Sequence, residues 1–402
     1  MKSAIAISYE LDDVNAACDE LIEQISKKLV FEKESVAVLY SQPKIDSKKL
    51  SSLLHERLGI PVFGGTTVAA AMLSSEGYLE FSVLLHVMTA DDCFFSVAIS
   101  QSMEGGDTRQ TMLNTYEAAL NGLKQKAPNE EPKLLFCITS IVQSFAPDDN
   151  LSLLTKISSD LPIYGFVAGD DFEFEHQEVF LNNESHKDVM VILLIAGNVK
   201  PLFIVKNLAS TQNFQKATIT KSEANIIYEI NSKKASDYMR ELSFVTDDSD
   251  ILWNFQFFVS TPDAENDDGI AYSRALKTMD KETGAVSCFA GVPQGSEIAL
   301  QYCDDVGVKL TCEQAMEELN EKVAKAEKGN YEYSTALLTS CCLRHAFLAH
   351  NADAEGSTIS TMIPKSIAAS GLYGFGEIAP TSIQGKKAVN RFHNATLTIC
   401  LL

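Results

Sequence analysis

The chain has 402 residues, of which 46% are hydrophobic and 22% charged, a balance that excludes a disordered or low-complexity polypeptide. Asp and Glu number 54 against 33 Lys and Arg, a net charge of −21 that repels phosphate backbones and anionic lipid surfaces; neither nucleic acid nor a membrane is an expected partner. The length predicts two or three domains.

The N-terminus offers one short apolar stretch, Ala4 to Ile7, before Glu10, Asp12 and Asp13, too little for a secretory signal. The longest apolar run, Val189 to Gly197, is far shorter than the ~18 residues of a spanning helix. Nine cysteines, an odd number with no Cys-x-x-Cys, predict reduced, buried thiols and a cytoplasmic location.

In chain order, a first amphipathic helix is predicted from Val14, Cys18, Leu21, Ile25 and Leu29. A strand follows at 36–40, a second apolar run ends on a glycine (Pro61 to Gly64), and a third strand spans 79–88. The pattern recurs with a helix on Met112, Leu113, Tyr116, Leu120 and Leu123, then strands at 133–139, 162–165 and 188–196. A shorter helix at 233–242 precedes strands at 253–260, 288–291 and 297–303. The last helix, on Cys312, Met316, Leu319, Val323 and Ala326, precedes strands at 334–341, 369–371 and 395–402. Loops are predicted at 103–107, 127–132, 262–269 and 351–357. One helix–strand–glycine-strand–strand unit is thus expected four times. The expected class is α/β (α+β mixed), with layered mixed β-sheets flanked by helices. Two domains of two units each are expected, at 1–207 and 208–402.

Several motifs are missing. Gly385-Lys386 lacks the glycine of a phosphate-binding loop five residues earlier, and no Gly-x-Gly-x-x-Gly follows a strand. His345 and His350 are five apart and face different sides of a helix, so neither a metal nor a cofactor is expected.

The glycine turns carry the strongest signal: Gly64-Gly65-Thr66-Thr67, Gly165 to Gly169-Asp170-Asp171, and Gly374 to Gly376-Glu377. Glycine lets backbone N–H groups approach a ligand, and strand ends are where open α/β sheets bind one. Tight turns capped by Thr and Asp explain the same residues without a ligand. Arg344, after Ser340-Cys341, either offers its fork to a ligand carboxylate or pairs internally. Cys341 would be a nucleophile only with His393 or His345 as base; the expectation is no enzyme. His393-Asn394 opens the last strand with polar residues that either line a pocket or face solvent.

At these residues the chain resembles the FIST family (F-box and intracellular signal transduction), with an N-terminal and a C-terminal FIST domain in tandem over nearly its whole length. The N-terminal resemblance lies in residues 61–67, 165–171 and 179–182 and the strand from Asp188. The C-terminal one lies in 235–238, Ser340-Cys341 with Arg344, 373–378 and 393–397. The resemblance implies a sensory module for small molecules such as amino acids. The expected protein is a stand-alone cytoplasmic sensor of a small polar, amino-acid-like metabolite, read by a signalling partner. In that reading Gly64, Gly65, Gly165, Gly169, Gly374 and Gly376 supply N–H groups and clearance. Arg344 takes a carboxylate, and Asp170, Asp171 or Glu377 takes an ammonium. Thr66, Thr67, Cys341, His393 and Asn394 complete the expected site. The alternative is an interaction scaffold without ligand, with a Cys-dependent enzyme behind it.

Overall fold

A computed structural model describes residues 1–141, 147–159, 161–208, 216–242, 255–260, 271–381 and 388–402. Three repeats share one order of elements. The first runs through the strand Lys2–Ser8, helix Val14–Lys28, strand Glu34–Ser41, helix Ser47–Leu58 and strand Val62–Thr66. A hairpin (Ala71–Ser74, Gly77–Glu80) and the strand Val83–Ala90 complete it. The second matches it with Cys93–Ile99, Thr108–Lys126, Pro132–Thr139, Pro147–Ile157 and Ile163–Val167, then the hairpin Val179–Leu181 and Glu184–His186, then Met190–Gly197. The third uses Leu202–Asn207, Asp305–Lys328, Thr335–Cys341, Ala354–Met362 and Ala368–Gly374. Its hairpin is Gly376–Thr381 and Val389–His393, and its last strand is Thr396–Leu401.

Each repeat builds a six-stranded sheet in the order first strand, last strand, second strand, its parallel neighbour, then a hairpin supplied by another repeat. The exchange is cyclic. The hairpin of repeat one completes the sheet of repeat three, that of repeat two completes sheet one, and that of repeat three completes sheet two.

Alternation along the strands explains why the three sheets share an interior. Val36, Val38 and Tyr40, Leu134, Phe136 and Ile138, and Leu337 all face one common core. The intervening Ala37 and Leu39, Leu135 and Cys137, and Ala336 and Leu338 face the helices of their own repeats. These strands are covered on both sides, as their continuous apolar runs predict.

The mixed α/β class expected from the sequence is the class observed. The four-unit pattern is met in three units. The stretch between Leu202–Asn207 and Asp305–Lys328 is an insertion in the third repeat, with a seven-stranded sheet of different order and its own core around Phe257, Leu276 and Leu300. Its apolar runs imitate a repeat because they report burial, which strand order does not determine. Residues 354–357 of the loop predicted at 351–357 are instead the first turn of the helix Ala354–Met362, folded against Asp305–Lys328 through Ile359. The predicted loop 262–269, residues 253–254 of a predicted strand and residues 209–215, just past the expected boundary at 207/208, lie outside the described residues. No helix among the described residues is long and apolar enough to cross a membrane.

The glycines that end the apolar runs allow parallel strands to approach. A Cβ on Gly64, Gly165 or Gly371 would strike the carbonyl of Leu39, Cys137 or Leu338, its register partner in each repeat. Beyond them the three turns meet in a closed ring. Val68 N–H donates to Tyr373 O (2.8 Å), Phe375 N–H to Val167 O (3.0 Å), and Gly169 N–H to Thr66 O (2.8 Å).

Candidate functional site

The three turns converge, but they engage one another. Thr66 Oγ1 donates to Gly169 O and accepts from Glu178 N–H, while Thr67 Oγ1 donates to Ala71 O. Gly65 abuts Ile138 and Ala168, Gly169 packs on Val68, Gly374 faces the Val167 carbonyl, and Gly376 lies under the Phe392 ring. These glycines provide clearance for neighbouring protein atoms. The N–H groups at the centre of the turns are spent on the ring.

Arg344 takes the internal option. Its guanidinium and Glu355 are both fully buried, with Nε and Nη2 reaching Glu355 Oε1 at 3.0 and 2.5 Å. Nη1 donates to Thr311 Oγ1 and Nη2 to Val308 O, while Ser340 Oγ donates to Glu355 Oε2. Burial works against the charge on Arg344, but Glu355 outweighs it and the pKa is raised. The expected contact with a ligand carboxylate is therefore corrected to a staple joining three helices, Asp305–Lys328, Cys342–Leu348 and Ala354–Met362, to the strand Thr335–Cys341. Sequence reasoning missed Glu355 because its polar surroundings read as a loop.

Asp170 is also committed internally. Its carboxylate accepts from the N–H groups of Glu173, Phe174, Glu175 and His176 and from Gln177 Nε2, at 2.9–3.1 Å. Burial raises its pKa, and the four backbone donors together hold it below the usual value. Asp171 is exposed on the adjoining turn. Glu377 is fully buried, with Oε2 accepting from Thr396 N–H at 3.2 Å and Oε1 making no hydrogen bond among the described residues. Burial, then the adjacent Cys341, pushes its pKa well above the usual carboxyl range. His393 is buried with Nε2 3.1 Å from Ala379 O. His345, the other candidate base, stacks on Tyr78 and meets its hydroxyl at 2.9 Å.

The cavity lies beside these groups. A chamber of about 450 Å³ opens between the inserted sheet and the three-sheet body, at the carboxyl ends of the strands Ile163–Val167 and Thr335–Cys341. Its volume falls in the range of about 300–1,000 Å³ usual for small-molecule sites. Of the residues predicted for the site, Cys341 and Asn394 line it. Five phenylalanines also line it: Phe172, Phe174, Phe289, Phe375 and Phe392. Lys277 and Thr278, both exposed, contribute from the insertion.

Local structure holds these walls in place. The donors gathered by Asp170 fold the segment 170–177 so that Phe172 and Phe174 sit at φ +65° and +59°, each at a cost of about 1–2 kcal/mol for a side chain of this kind. Phe174 stacks on Phe375 with centroids 4.5 Å apart, and Phe172 meets the same ring edge-on at 6.0 Å. Arg274 fastens the insertion to the body by donating to Gly291 O, Ser273 O and Phe392 O, with its guanidinium 4.3 Å from the Tyr272 ring. Asp148 Oδ2 accepts from Gly291 N–H across the same junction. Asn394 is 2% exposed, and its Oδ1 accepts from Ala275 N–H at 3.4 Å. Its Nδ2 makes no hydrogen bond among the described residues and is left for the chamber. Cys341 is buried, and desolvation, then Cys342, raises its pKa well above that of a free thiol.

A family model described as the FIST N domain matches residues 35–233, and one described as the FIST C domain matches 235–380. The chain belongs to the FIST family. FIST domains are associated with signal transduction and are proposed to bind small ligands. No curated protein matches the sequence. Two solved structures overlap 99% of the FIST chain at 11% identity and a TM-score of 0.21. They are Thermotoga maritima PurL complexed with ATP, covered over 71% of its length, and the PurLQS structure from Thermotoga maritima, covered over 72%. At that TM-score the overlap carries no weight.

Proposed function

We propose that this FIST protein is a cytoplasmic small-molecule sensor whose ligand occupies the chamber between the inserted sheet and the three-sheet body. One observation carries the reading: a cavity of ligand size at strand ends, walled by aromatic rings and by Asn394, whose Nδ2 makes no hydrogen bond among the described residues. A ligand there would touch Lys277 and Phe289 on the insertion and Cys341 and Phe375 on the body. Occupancy therefore favours one relative pose of the two, which a signalling partner reads. The protein acts by binding and not by catalysis: the Cys341 thiol stays protonated at neutral pH, and both candidate bases are engaged elsewhere.

A thermal-shift screen over small metabolites tests this. A ligand at 100 times its dissociation constant adds about 2.7 kcal/mol of stability. Absence of any stabilising compound in a broad panel refutes the sensor reading. Rapid iodoacetamide labelling of native Cys341 at pH 7 refutes the non-catalytic part.

A further inference from the structure

The lining of the chamber discriminates between ligand classes, on the premise that the chamber is the sensor's binding site. We infer that it takes a monocarboxylate with an apolar, ring-bearing body, and rejects the zwitterionic amino acid of the same shape.

Charge is the first argument. Among the described lining residues, Lys277 is the sole charged side chain, and no carboxylate lines the wall. Of the acidic groups close in sequence to the lining, Asp171, Glu173 and Glu175 are exposed, and Glu377 accepts from Thr396 N–H, with burial beside Cys341 disfavouring its charged form. Asp170 is saturated by its own loop, and Asp148 Oδ2 holds Gly291. The neighbouring backbone acceptors are also in use: Val167 O receives Phe375 N–H, and Phe392 O receives Arg274 Nη1. A ligand ammonium would be desolvated without an anionic partner, which is costly.

Beside the Thr278 hydroxyl, two side-chain donors belong to the lining. Lys277 stands at the rim, its ammonium 5.9 Å from the Phe289 centroid, and Asn394 offers Nδ2 from within. The Oδ1 of Asn394 is fixed on Ala275 N–H, which orients the amide with its donor side inward. An acceptor-bearing head group satisfies both, and the five phenylalanine rings cover the body.

Isothermal titration with three matched probes tests the inference: 3-phenylpropanoate, L-phenylalanine (the same body with an added ammonium) and 3-phenylpropan-1-ol (the same body without charge). The expected result is one site for 3-phenylpropanoate, with L-phenylalanine at least tenfold weaker. In Lys277→Met, an exposed position whose replacement leaves folding intact, 3-phenylpropanoate is expected to weaken about fivefold or more and to lose its salt dependence. The alcohol should be unchanged. If L-phenylalanine binds as tightly as 3-phenylpropanoate, or Lys277→Met leaves the carboxylate unaffected, the ligand class is wrong while the sensor reading stands. If none of the three binds and the metabolite screen is also empty, both fall.

Discussion

Arg344→Met separates a structural guanidinium from a ligand-binding one. The substitution removes the two contacts from Nε and Nη2 to Glu355 and those to Thr311 and Val308. It leaves the Glu355 carboxylate, 0% exposed, with the Ser340 hydroxyl as its one hydrogen-bond donor among the described residues. Breaking one side of a buried pair costs about 3–5 kcal/mol, because the surviving charge is uncompensated. Replacing both sides together, as Arg344→Met with Glu355→Leu, removes that charge and is expected to restore most of the loss. Urea unfolding followed by far-ultraviolet circular dichroism measures both, with the slope m checked for constancy. The affinity of each variant for 3-phenylpropanoate at 10 °C should equal that of the parent. A single variant that unfolds within about 0.5 kcal/mol of the parent yet no longer binds would show that the guanidinium serves the ligand.

Gly165→Ala drives a Cβ into the Cys137 carbonyl; a loss of about 3 kcal/mol or more is expected, and a melting temperature within a degree of the parent would refute the close-approach argument. Glu377 has a raised pKa in the fold, so its contribution is complete below the ordinary carboxyl range and lost as pH rises through the raised value. Glu377→Gln should therefore flatten the decline in urea midpoint above pH 5, and an unchanged pH slope would contradict the assignment. Asp170 has a lowered pKa, so its contribution is present above the ordinary carboxyl range and lost as pH falls through the lowered value. Asp170→Ala should cost about 1–3 kcal/mol and open residues 170–177 to proteolysis; a loop as resistant as the parent's would count against its role as organiser.

Much of the framework was readable from residue pattern. The helix faces on Val14, Cys18 and Leu21 and on Cys312, Met316 and Leu319 pack as their spacing dictates, because that spacing reflects burial directly. The glycines after the buried strands mark places of close approach, as glycine in such runs should. What they approach is set by sheets that exchange hairpins, and no local pattern encodes an exchange between residues 72 and 372. The same limit governs the site. Cys341 and Asn394 were found because they end and open strands. Phe172 and Phe174 were missed because aromatic residues in a polar loop carry no periodicity, and their placement depends on four N–H groups folding around Asp170. Arg344 stood out as a lone cation after an apolar run, while Glu355, eleven residues on, gave no helical signal to identify it as the partner.

The cyclic exchange of hairpins also has a consequence for biogenesis. As the polypeptide leaves the ribosome, the strand Ile163–Val167 emerges with one edge unfilled, and its partner Gly376–Thr381 is made about 210 residues later. At roughly 5–20 residues per second that interval is on the order of 10–40 s. During it an apolar strand, buried in the finished fold, presents open amides and carbonyls to solvent, the circumstance in which nascent chains recruit chaperones or stick to one another.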